Sequence, residues 1–103
     1  IKLSKPFRGY EYWLKYTDEQ IRSTETLIKQ IGKQTGIDVT LGLQKRIKNL
    51  KDVYKAFDYD PDIVKNANGV YSHTNVSGPK KWGNFEKWDV SPQPALIEMI
   101  LKL

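Results

Sequence analysis

His73 is the only histidine in the sequence, and it sits in Tyr71-Ser72-His73-Thr74 with Lys80 and Lys81 a few residues on. An imidazole titrates near neutrality, so it can take a proton from an attacking hydroxyl or return one to a leaving oxygen. Cations close by would hold a phosphate while that happens. This combination is what a small metal-free nuclease of the toxin type would use, with His73 as its acid or base. Against it, the sequence offers no second histidine and no carboxylate at a defined offset. The ordinary explanation is a histidine on a surface loop.

Two other groups of residues carry chemical meaning. Lys45, Arg46, Lys48, Lys51 and Lys55 crowd into one segment and could contact phosphates, as in a basic nucleic-acid-binding module. A solvated face of an amphipathic helix looks the same. Asp58, Asp60 and Asp62 alternate as at the start of a calcium loop, but Ile63 and Gly69 stand where that loop needs Gly and Glu, and Pro61 interrupts it. With no cysteine and one histidine, a structural zinc site has no ligand set either. No cofactor is therefore expected.

These residues must be positioned by a small body. The chain has 103 residues, enough for one modest core, and a formal charge of +5. The charge is uneven: residues 1–57 carry +6 and residues 58–103 carry −1. No apolar run has the length of a membrane span. No targeting signal marks a compartment, and an intracellular location is the expectation. Ile1 at the start and the apolar finish at Leu103 fit a domain of a longer protein.

The expected fold class is mainly α, in one domain over 1–103. Residues 1–16 form an aromatic lead in which Pro6 and Gly9 oppose a helix. Residues 17–57 read as an antiparallel helical hairpin. Thr17 and Gln20 have capping-box spacing, Asp18 and Glu19 fill the first turn, and Gly36 ends a helix over about 18–34. Leu43, Ile47, Leu50, Tyr54 and Phe57 recur at helical spacing and predict a second helix running to Phe57. Residues 58–94 read as an irregular arm or a short β-hairpin, with strands at Val70–Val76 and Lys81–Trp88. A short apolar helix over 95–103 closes the chain, with Pro94 in its first turn.

An arm that long without firm structure needs something to hold it. Its aromatic residues have the spacing of anchors on a partner. The leading functional expectation is therefore a non-catalytic accessory or adaptor subunit. It would pack the hairpin and the arm on a protein partner in a larger assembly, through Trp82, Phe85, Trp88, Leu96, Ile100 and Trp13, with Tyr10 and Tyr12 beside Trp13. The basic module and the His73 nuclease are the alternatives.

Overall fold

A computed structural model describes residues 1–66, 68–77 and 90–103. Among them the fold is mainly α with one antiparallel pair of strands. Strand β1 spans Lys2–Phe7 and β2 spans Tyr10–Tyr12. Phe7 pairs with Tyr10, so Arg8 and Gly9 alone make the turn, at φ +50° and +89°. Positive φ at both central residues matches the right-handed twist of the strands, which is why such tight hairpins favour it. The aromatic lead is thus a hairpin, and it buries Leu3 and Phe7 against the body.

Helix α1 runs Asp18–Thr35 and has the expected ends. Thr17 Oγ1 accepts from Gln20 N at 3.0 Å, Gln20 Oε1 accepts from Thr17 N at 2.8 Å, and Gly36 closes the helix at φ +77°. Helix α2 spans Leu43–Asn49 and stops well short of Phe57. Leu50 is extended, and a 3-10 helix over Val53–Phe57 follows. The cause is Asp52, whose carboxylate accepts from Tyr54 N at 3.0 Å and so starts a new element instead of continuing the old one. Leu43, Ile47 and Phe57 still reach one core, because the 3-10 turn keeps a spacing close to that of the helix.

The predicted helical hairpin is not confirmed. α1 and α2 each pack on helix α5, Pro94–Leu101, more than on one another. Met99 and Ile100 of α5 are buried among Leu3, Phe7, Leu43 and Phe57. Gln44 of α2, itself buried, donates to the carbonyls of Ile100 at 3.1 Å and Leu101 at 3.4 Å, serving the open end of α5.

Residues 58–66 and 68–77 are built into this body. Helix α3 spans Pro61–Asn66 and buries Ile63. Gly42 and Val70 form a single parallel bridge, with Leu43 N to Val70 O at 2.8 Å and Val70 N to Leu41 O at 3.0 Å. The strand predicted over Val70–Val76 keeps only that bridge. From His73 to Val76 the chain makes one helical turn, α4, because Ser72 and Asn75 favour a cap over a strand: Ser72 N donates to Asn75 Oδ1 at 2.9 Å. The second predicted strand, Lys81–Trp88, lies outside the described residues.

Candidate functional site around His73

The α4 turn is held by polar side chains that are almost completely buried. Thr74 and Asn75 are 0% exposed and Ser72 is 8% exposed. Asn75 Nδ2 donates to the carbonyls of Ala56 and Asp58, both at 2.8 Å, and the carbonyl of Asn75 accepts from Asp60 N at 2.9 Å. The hydroxyls of Ser72 and Thr74 bond to each other. Ser77 N closes the turn on the carbonyl of His73 at 3.1 Å. From the hairpin, Arg8 Nη2 donates to the carbonyls of Thr74 at 2.7 Å and Ser77 at 2.8 Å. Within this frame His73 alone of residues 72–75 is exposed.

The frame extends into the acidic segment. Asp60 Oδ2 pairs with Arg46 Nη1 at 3.1 Å, and Asp60 Oδ1 accepts from Asp62 N at 3.0 Å. Asp58 is an exposed residue, yet the protein crowded around its carboxyl removes water and pushes its pKa above the ordinary value. The positive charges of Arg8, Arg46 and Lys55 oppose that shift, and Asp52 adds to it. Among the described residues, no group of three His, Asp or Glu side chains gathers as metal ligands would.

The basic residues do not share one helix face. Arg46 is structural: besides Asp60, its Nε donates to Ala56 O at 3.0 Å and its Nη2 to Lys55 O at 3.3 Å. Lys45 and Lys48 lie exposed on α2, and Lys48 reaches Gln44 Oε1 at 3.4 Å. Lys51 stands in the turn after α2 and Lys55 on the 3-10 helix, both exposed. A continuous row was expected only because the second helix was expected to be continuous.

Of the expected partner anchors, Trp82, Phe85 and Trp88 lie outside the described residues. Ile100 is 2% exposed and belongs to the core. Leu96 is half-buried against that core. Trp13 is half-buried with its ring 6.0 Å from that of Phe7, and its Nε1 donates to Tyr10 O at 2.9 Å. Tyr10 and Tyr12, expected beside Trp13, are exposed, and so among other apolar side chains are Leu14 after the hairpin and Leu27 and Ile31 on α1. No residue of α1 is fully buried. Sequence periodicity shows that α1 has an apolar stripe but not which part of it the rest of the chain covers. Nor does any local signal mark Arg8, whose partners lie far along the chain.

No family model, curated protein or solved structure matches the chain at a significant level.

Proposed function

We propose that the protein is a hydrolytic enzyme of the nuclease type whose working group is the His73 imidazole. One observation carries this reading: His73 stands exposed on a turn whose neighbouring polar side chains, Ser72, Thr74 and Asn75, are all buried and hydrogen-bonded. A frame that spends so many buried polar groups on one short turn suits acid–base chemistry, in which small displacements cost large factors in rate. The net charge of +5 suits an anionic substrate, although its excess lies in residues 1–57, residues 58–103 carry −1, and Lys80 and Lys81 lie outside the described residues. In that reaction the imidazole takes the proton of the attacking hydroxyl as its oxygen bonds to phosphorus. The proton then passes to the leaving oxygen as the old bond breaks.

The test is cleavage of single-stranded RNA and DNA by the purified chain and by His73→Ala. The expected loss in the variant is about 100-fold or more. No cleavage by the unsubstituted chain, or an unchanged rate in the variant, rejects the reading.

A second reading, the accessory subunit, is favoured by α1. This helix is 18 residues long, yet none of its side chains is fully buried, and Leu27 and Ile31 stay exposed on it. A partner that covers this face would remove that surface from water. Pairing Leu27→Lys with Ile31→Lys should then release the partner without lowering the thermal stability of the chain. Light scattering on the chain with any protein that co-purifies from its source reads the result. Retention of the partner by the double variant excludes this face.

A further inference from the structure

Arg8 is the one non-glycine residue with positive φ among the described residues, at +50°. A left-handed conformation costs a residue with a Cβ about 1 kcal/mol or more. A glycine there would avoid that cost, but it would lose the guanidinium. The side chain reaches from the hairpin turn to α4, where a single nitrogen, Nη2, donates to the carbonyls of Thr74 at 2.7 Å and Ser77 at 2.8 Å. α4 is one turn of four residues, far shorter than a helix that holds itself. Asn75 ties the turn to the carbonyls of Ala56 and Asp58 on one side, and Arg8 ties its carbonyl end on the other. Without Arg8 the turn keeps its bonds at Asn75, including Asp60 N to Asn75 O at 2.9 Å, but its carbonyl end loses the tie to the hairpin, and His73 is exposed on that turn.

We infer that Arg8 is the positioning residue for His73, fixing the direction of the imidazole by clamping the carbonyl end of its turn to the hairpin. The inference rests on the reading of His73 as the working group. It assigns the hairpin a task in the site and accounts for a strained arginine at a position that favours glycine. Charge alone does not suffice. Both bonds leave from one nitrogen, Nη2, at the end of a stem longer than that of lysine, so a lysine ammonium has to serve the same two carbonyls from further back.

Because His73 is the only histidine in the sequence, the chain gives one histidine Hε1 signal in NMR. In the unsubstituted protein that signal should be single and displaced from the position of an unstructured histidine. In Arg8→Ala and Arg8→Lys it should move toward that position while the methyl signals of Ile47 and Ile100 stay in place. Exchange of the Ser77 amide should quicken about tenfold or more, the equivalent of one charge-assisted hydrogen bond. Lys5→Ala breaks the Lys5–Asp52 ion pair made by the same hairpin and should leave the imidazole signal alone. An unmoved signal in Arg8→Ala, or an equal movement in Lys5→Ala, overturns the inference.

If Arg8→Ala does not fold, native-state exchange of the unsubstituted chain decides. The Ser77 amide and the hairpin amide of Trp13, bonded to Ile1 O at 2.9 Å, should open with the same denaturant dependence. Independent opening overturns the tie. The cleavage rate of His73→Ala tests the role of His73 separately, so either idea can fail while the other stands.

Discussion

Asn75 Nδ2 lies 2.8 Å from the carbonyl oxygen of Ala56, and both residues are 0% exposed. The same carbonyl accepts from Arg46 Nε at 3.0 Å, so the α4 turn, the 3-10 helix and α2 meet at one oxygen. The other Nδ2 bond goes to Asp58 O at 2.8 Å, and Asn75 Oδ1 serves Ser72 N at 2.9 Å. Asn75→Ala leaves the buried Ser72 N and the part-buried Asp58 O without these partners, and should lower unfolding free energy by about 3 kcal/mol. Asn75→Asp keeps the acceptor for Ser72 but sets an ionised carboxylate against two carbonyls. It should be worse at pH 7 than at pH 4, where a protonated acid can donate once. Urea unfolding at both pH values measures this. A loss under about 1 kcal/mol for Asn75→Ala would mean that the turn does not depend on Asn75.

The parts of the fold legible in sequence are those fixed by neighbours along the chain. The cap of α1 depends on Thr17 and Gln20, its end on Gly36, and the start of α5 on Pro94. The break after Asn49 is hidden in the sequence because Tyr54 and Phe57 keep nearly the same spacing in a 3-10 helix as in an α-helix, whereas Leu50, extended and exposed, leaves the stripe. Asp52 was the only local hint. The site divides in the same way. His73 stands out by residue type. The side chains that hold its turn make contacts across long stretches of sequence, and nothing in the composition of 71–77 indicates that Arg8 will reach it. Arg46 shows the converse: it reads as one cation in a row, yet its guanidinium is spent on Asp60 and two backbone carbonyls.

Gln93 does for the C-terminal segment what Asn75 does for α4. It is 2% exposed, its Oε1 accepts from Tyr16 N at 3.1 Å, and its Nε2 donates to Leu14 O at 2.9 Å and Ser91 Oγ at 3.0 Å. Gln93→Glu keeps the shape and removes both donors, so it should destabilise by about 2–4 kcal/mol at neutral pH. Protonation of the new carboxyl restores one donor, and the deficit should shrink as pH falls to about 4. Thermal unfolding of the variant across that range is the check. A deficit that does not change with pH would show that the donors of Gln93 matter little.

Two glycines separate the cost of conformation from the cost of space. Gly36 has φ +77° with nothing within 4 Å of an added Cβ, whereas Gly42 has φ +92° and its Cβ would lie 2.2 Å from Val70 O. Gly36→Ala should therefore cost only the left-handed conformation, about 1–2 kcal/mol. Gly42→Ala must also push apart the Gly42–Val70 bridge, and should cost at least about 1–3 kcal/mol more. Equal losses in urea unfolding would mean that the bridge gives way freely and does little to fix the chain leading into α4.

Asp58 gives the site a pH dependence whose sign follows from its surroundings. Loss of water around its carboxyl raises the pKa, and this outweighs the pull of Arg8, Arg46 and Lys55 in the other direction. A carboxyl with a raised pKa in the folded state binds its proton more tightly there than in the unfolded chain. Its contribution to stability is fully present below the unfolded pKa and is lost as pH rises through the folded one. At pH 7 the ionised group therefore works against the fold. Asp58→Asn keeps the backbone carbonyl that Asn75 uses and removes the charge. The variant should melt higher than the unsubstituted chain at pH 7, and the gap should close at about pH 3, where Asp58 is protonated in both states. Melting curves at the two pH values decide it. A lower melting temperature for the variant at pH 7 would show that attraction to Arg8 and Arg46 outweighs the loss of water, and that the Asp58 carboxylate helps to hold the α4 frame.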